Sequence, residues 1–248
     1  MIKLSTSGPR LAQLLAALAL TTSSLALAQT AAPAPAAQAK PTQGATAPAA
    51  PTQQAPVSIE AQVAMCIGCH GIPGYQSSFP QVHRVPYISG QNAKYIAAAL
   101  TAYKNGDRKH PTMRSVAADM SEQDIAAVSA WYEEQAKGKV EAKEPSRQPT
   151  AQVAALLQKG ACVSCHGSNY SNPIDASYPK LAGQHADYLF VALKSYKAAP
   201  GNSQVIGRNN AIMGGIARQF SNAELKAMAD YIGSLQGEMQ TQPQGRFR

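Results

Sequence analysis

Cys66-Ile67-Gly68-Cys69-His70 recurs 96 positions later as Cys162-Val163-Ser164-Cys165-His166, and the rest of the chain is organised around these two pentapeptides. Two cysteines three apart share one helical turn, so both thiols can add across the two vinyl groups of a single haem. The histidine directly after the second cysteine is then placed to ligate the iron from one face. Cys-x-x-Cys-His is the attachment signal of c-type haem. The sequence therefore predicts two covalently attached haem c groups, anchored by Cys66, Cys69, Cys162 and Cys165, with His70 and His166 as iron ligands. Paired cysteines also serve three other chemistries. Two Cys-x-x-Cys arms can close on zinc, a thioredoxin-type pair can cycle within a βαβ unit, and an exported chain can bridge each pair as a disulfide. None of these explains a histidine in the same place twice.

The repeat extends well beyond the cysteines. Pro86, Gly90, Gln91, Tyr95, Leu100, Tyr103 and Lys104 recur as Pro179, Gly183, Gln184, Tyr188, Leu193, Tyr196 and Lys197, and Met113 and Ser121 recur as Met213 and Ser221. A period near 100 residues is too long for a solenoid and fits a duplicated small domain. The spacing predicts the same three helices in each half. One runs into the cysteine pair (Ser58 to Cys69, Thr150 to Cys165), and one follows Gly-Gln (Asn92 to Lys104, His185 to Ala198). The third starts at Ser121 or Ser221, with Asp124 or Glu224 three residues on as a capping box. Strand-like alternation is scarce, so the expected fold is all-α, with domains at 57–145 and 146–248.

Residues 1–56 hold no aromatic residue, no cysteine and three charges, Lys3, Arg10 and Lys40. The two cations of Met1 to Arg10, the apolar Leu11 to Leu20 and the small-x-small Ala26-Leu27-Ala28 follow the pattern of a secretory signal peptide over 1–28. An uncleaved anchor over Leu11 to Ala28 is the alternative. Residues 29–56 form an Ala/Pro/Gln/Thr tract that is expected to be a disordered linker. All 15 aromatic residues of the 248-residue chain therefore belong to the two folded halves. Beyond the N-terminal segment no apolar run is long enough to span a bilayer, which excludes a polytopic membrane protein. Four cysteines in two tight pairs exclude a disulfide-dense scaffold.

Electron-transfer haems usually take a second axial ligand, and methionine opposite histidine raises the potential. Met113 and Met213 are the aligned methionine pair, each expected in a loop before the capped third helix. The remaining methionines read as filler: Met228 on an apolar helix face, Met65 beside the first cysteine, Met239 in a polar tail, and Met120, whose counterpart is Phe220. His83, His110 and His185 have no histidine counterpart and read as surface or loop residues, with His83 or His110 in reserve as a replacement ligand.

On Cys-x-x-Cys-His, the Pro-x-x-x-Gly-Gln-x-x-x-Tyr segments (Pro86 to Tyr95, Pro179 to Tyr188) and the methionine before Ser-x-x-Asp/Glu, residues 57–236 resemble the dihaem cytochrome c4 family. The resemblance implies two tandem class I cytochrome c domains, each around a His/Met haem. It also implies a periplasmic carrier between a quinol-oxidising complex and a terminal oxidase. By the same resemblance the Pro86 and Pro179 carbonyls accept a hydrogen bond from the ligand histidines, and Tyr95 and Tyr188 pack near a haem propionate. Without a Ser/His/Asp set, phosphate loop or carboxylate pair, the chain reads as an electron carrier and not an enzyme. The alternatives are the electron-accepting subunit of a larger dehydrogenase, or a dihaem enzyme with an exchangeable sixth ligand. Residues 57–145 carry nine basic and nine acidic side chains, and residues 146–248 carry ten and five. That imbalance suggests redox partners with an acidic surface, met by Lys194, Lys197, Arg208 and Arg218 of the second half. A chain with this few charges is a poor nucleic-acid binder.

Overall fold

A computed structural model describes residues 58–135, 145–198 and 205–241. The expected signal peptide and Ala/Pro linker lie outside the described residues. Ser58 caps α1 (Ile59–His70) by accepting from the Ala61 N–H, and the helix runs straight through the first cysteine pair. A short hairpin, β1 (Gln76–Ser77) and β2 (His83–Arg84), follows. Next come α2 (Ala93–Asn105), the two-residue strand β3 (Arg108–Lys109), α3 (Pro111–Ala118) and α4 (Glu122–Glu134). The second half repeats the order with α5 (Ala151–Lys159), α6 (Val163–His166), α7 (Ala186–Lys197), β4 (Gly207–Arg208), α8 (Ala211–Ala217) and α9 (Asn222–Gly233).

Each half buries its own core. Ile96, Leu100 and Tyr103 line one face of α2 and meet Ile125, Val128 and Tyr132 on one face of α4, with Val63 of α1 closing the group. In the second half Leu189 of α7 packs on Leu225, Met228 and Ile232 of α9, joined by Leu157 and Phe220. These spacings are the three-and-four periodicity of amphipathic helices. Both α4 and α9 begin with full capping boxes, Ser121 with Asp124 and Ser221 with Glu224.

Two helices depart from the sequence expectation. The run from Thr150 to Cys165 is not one helix: it stops at Lys159, and Ala161 takes a left-handed φ of 48° before α6 restarts. Gly160 permits the break, because a side chain there would meet Cys162 Sγ at 3.1 Å and the Phe220 ring at 3.4 Å. The second departure concerns the methionines. Met113 and Met213 sit in the first turns of α3 and α8, not in loops, because His110 and Asn210 cap those turns.

The two halves contact each other through reciprocal bonds between corresponding parts of the repeat. Arg108 of β3 lies opposite Arg208 of β4 in an antiparallel bridge. Gln91 donates to the Lys180 carbonyl (3.0 Å) and accepts from the Lys180 N–H (2.9 Å). Gln184 does the same with Tyr87, at 2.9 and 3.0 Å. Gly90 and Gly183 turn the chain into these glutamines with φ of 86° and 74°, a region open to glycine at little cost. Met239, read from sequence as part of a polar tail, is instead buried between the two glutamines, where its Sδ accepts from both Gln91 Nε2 and Gln184 Nε2. The contact is edged by ion pairs from Arg84 to Asp187 and from Lys94 to Asp175.

Candidate functional site

Among the described residues the folded halves line one continuous, largely apolar cavity of about 570 Å³ that runs from one half into the other. Cys66, Cys69, His70 and Met113 line it from the first half, and Cys162, Cys165, His166 and Met213 from the second. Pro86, Pro179, Tyr95 and Tyr188 also reach its wall, so all twelve residues singled out from the sequence converge on one space.

The two halves build their walls alike. α1 and α6 each end on the histidine, and each ring is then fixed from behind. His70 Nδ1 donates to the Pro86 carbonyl at 2.8 Å, and His166 Nδ1 to the Pro179 carbonyl at 3.1 Å. A proton held on Nδ1 leaves the lone pair on Nε2, the atom able to bind a metal. Burial also pushes both imidazoles below their ordinary pKa; the proline carbonyls oppose this, and Arg108 adds to it at His70. The rings are therefore neutral at pH 7. Burial likewise pushes the Cys66 and Cys162 thiols up. The two methionines line the same cavity: Met113 N–H donates to His110 Nδ1 (3.4 Å) and Met213 N–H to Asn210 Oδ1 (2.9 Å), so helix caps fix the backbone of both.

No disulfide joins any of the four cysteines. Among the described residues no group of three or more His, Cys, Asp or Glu is arranged to hold a metal ion, which leaves the two-armed zinc site without a basis. The sheets there are two-stranded and antiparallel, so a βαβ redox unit is also missing among them.

At the junction of the two half-cavities the structure gathers residues that the sequence reading had not joined. Arg108, 8% exposed, donates to Tyr188 Oη at 2.6 Å and to Tyr95 Oη at 3.3 Å, and stacks on Tyr103. Arg208 donates to the same Tyr188 Oη at 3.2 Å and stacks on Tyr188 and Tyr196. Arg208 thus turns inward and leaves the expected docking set, and Lys194 bonds Gln81 of the first half at 2.6 Å. Nothing in the local sequence Gly106-Asp107-Arg108 marks a buried arginine; only its alignment with Arg208 hints at a shared role. His83 and His185, expected at surface or loop positions, are both buried, His185 in the loop that leads into α7. His83 packs near Tyr188 and His110, and His185 stacks on Tyr87 across the contact between halves.

These walls suit a flat, largely apolar group that two thiols anchor, an imidazole nitrogen and a thioether ligate, and whose own anionic edge faces the arginines. A haem with ionised propionates has each of these properties, and the site passes this test twice.

Comparison with known proteins agrees with the geometry. The family model described as cytochrome c matches residues 150–236. Cytochrome c4 of Pseudomonas aeruginosa is 30% identical over 183 residues, covering 71% of this chain and 86% of that protein. A thiosulfate dehydrogenase electron acceptor from Stutzerimonas stutzeri is also 30% identical over 183 residues, covering 71% of this chain and 81% of its own length. Among solved structures, Acidithiobacillus ferrooxidans cytochrome c4 superposes with a TM-score of 0.52 at 26% identity, covering 70% of this chain and 99% of that one.

Proposed function

The chain belongs to the cytochrome c4 family, an electron carrier with covalent haem c at its two cysteine pairs, and from that premise we propose that it shuttles electrons in the periplasm between a quinol-oxidising donor and a terminal oxidase. When bound, each haem supplies an iron that alternates between ferric and ferrous. The protein's part is to hold, orient and desolvate that group. Cys66, Cys69, Cys162 and Cys165 would hold the two groups by thioether links, and His70 with Met113 and His166 with Met213 would ligate the irons. The Pro86 and Pro179 carbonyls keep each imidazole in the Nδ1–H tautomer, which fixes its plane and strengthens Nε2 as a donor. In this reading residues 1–28 direct export, 29–56 are a linker, and the domains occupy 57–145 and 146–248.

The observation that carries the reading is the duplicated set itself. In each half a histidine braced on a proline carbonyl and a helix-capped methionine line the same cavity as the cysteine pair. An absorption spectrum of the oxidised holoprotein tests it. The weak near-infrared sulfur-to-iron band is expected at two-haem intensity, and Met113→Ala or Met213→Ala should each remove about half of it. Half intensity in the unmodified protein, or a high-spin signal, would sink the paired ligand set and favour an enzyme with an exchangeable site.

A second reading follows from the thiosulfate dehydrogenase electron acceptor among the relatives: the chain would receive electrons as the partner of a dehydrogenase. Co-purification of a larger complex with the native protein would favour it over a free shuttle. In either case the excess of basic residues in the second half is suited to an acidic partner, now through exposed Arg218 and through Lys197, whose ammonium also donates to the Phe220 carbonyl. Reversing both charges should slow electron transfer at low ionic strength and have little effect at high salt. Rates unchanged at low salt would remove the docking idea.

A further inference from the structure

Two arginines meet at the seam of the two half-cavities, and among the described residues neither has a carboxylate partner. Burying a guanidinium among apolar and phenolic groups is costly unless an anion compensates it. Among the described residues Arg108 Nε has no hydrogen-bond partner, although the residue is more than nine-tenths buried. The tyrosines repeat this imbalance. Burial pushes Tyr95 up to about 12, whereas for its counterpart Tyr188 burial is outweighed by Arg108 and Arg208, which bring it to about 7. Tyr188 Oη accepts from both guanidinia, at 2.6 and 3.2 Å. The seam is thus built of donors and cations that await acceptors.

Its symmetry is also broken in an informative way. Arg108 bonds Tyr95 in its own half and Tyr188 in the other, whereas Arg208 bonds Tyr188 in its own half only. One side chain of the first half therefore donates hydrogen bonds into both halves, and its counterpart into one. We propose that Arg108, Tyr188 and Arg208 form one anion site shared by both haem pockets, in which Arg108 holds carboxylates of both haems and raises the potential of both.

The sign follows from charge. An oxidised haem site carries one more positive charge than a reduced one, so a nearby cation favours the reduced form. Replacing Arg108 by a neutral residue should lower the potential of both sites, and replacing Arg208 should lower mainly that of its own half.

The proposal rests on the two-haem reading, so the holoprotein is first assayed for haem by pyridine haemochrome. Fewer than two haems per unmodified chain would count against that reading, independently of the arginines. Spectroelectrochemical titration of R108Q and R208Q then tests the site. For R108Q both one-electron waves should move down, with about a tenfold fall in the reduced-to-oxidised ratio at fixed poise, ~59 mV, for the wave that moves further. R208Q should displace one wave much more than the other. If R108Q leaves either wave in place, sharing is overturned. If it moves neither while the thermal midpoint falls, Arg108 only packs, and the site is overturned. Should R108Q fail to take up two haems, Y188F keeps both cations but removes the hydroxyl that spans them. Both waves should then shift by less than tenfold, and unmoved waves would overturn the proposal.

Discussion

A glutamine side chain ends in a small copy of the peptide group, and Gln91 and Gln184 use theirs as one. Each accepts a backbone N–H and donates to the carbonyl of the same residue, Lys180 or Tyr87, in the opposite half. Truncating either leaves a backbone donor and acceptor unpaired in a buried contact. Gln91→Ala and Gln184→Ala should therefore each cost about 1–3 kcal/mol in urea unfolding of the holoprotein. Both amides also donate to Met239 Sδ, so the double variant should depart from additivity by about 0.5–3 kcal/mol. Strict additivity would mean that the two clasps act separately. The Gly-Gln pair was plain in the sequence as a repeat, yet its purpose was not. Spacing shows that two residues are equivalent, but it cannot show that each is bound to the neighbourhood of the other. The burial of His83 and His185 was hidden for the same reason: each packs in part on a tyrosine of the facing half, which lies about a hundred positions away in the chain.

Helices were largely legible because their signals are local. Ser121 and Ser221 with an acidic residue three positions on gave the starts of α4 and α9, and both boxes close. The errors arose where a cap was less obvious or where a helix was interrupted. His110 and Asn210 begin α3 and α8, so the methionines ride on helices whose first turns these side chains hold. Asn210→Ala removes the acceptor of the Met213 N–H and should cost ~1 kcal/mol. It should also disturb the sulfur-to-iron band of the second half while leaving the first intact; an unaltered band would separate the cap from the ligand. The break between α5 and α6 places Ala161 at a φ that costs a residue with a Cβ about 1–2 kcal/mol. Ala161→Gly removes that strain but makes the unfolded chain more flexible, so a net gain of about 0.5–1 kcal/mol is expected in thermal unfolding. A loss of stability would show that the turn tolerates alanine without strain.

On the scale of the whole molecule, two halves with separate cores are held as one body by polar contacts placed around a common cavity. The first half carries balanced charge and the second an excess of cations, so the ion pairs that cross between them matter less for net attraction than for orientation. Arg84 and Asp187 are the clearest case. The Asp187 carboxylate accepts from both the backbone N–H and the guanidinium of Arg84, and from its own neighbour Tyr188 N–H. Burial pushes this carboxyl up, but the Arg84 contacts together pull it further down, so its pKa in the folded chain lies below the usual aspartate value. A depressed carboxyl stabilises the folded state above its unfolded pKa of ~3.9, and that stabilisation disappears as pH falls through the folded value. The pair is more than one-third exposed on both sides, so the contribution belongs within the ~0–1 kcal/mol of screened pairs. Asp187→Asn keeps the shape and removes the charge. Urea midpoints of the two holoproteins should differ by a constant amount from pH 7 to about pH 4 and converge below it. A difference that persists to pH 2 would show that Asp187 acts through its hydrogen bonds alone, and that the halves are oriented by the glutamine clasp without help from charge.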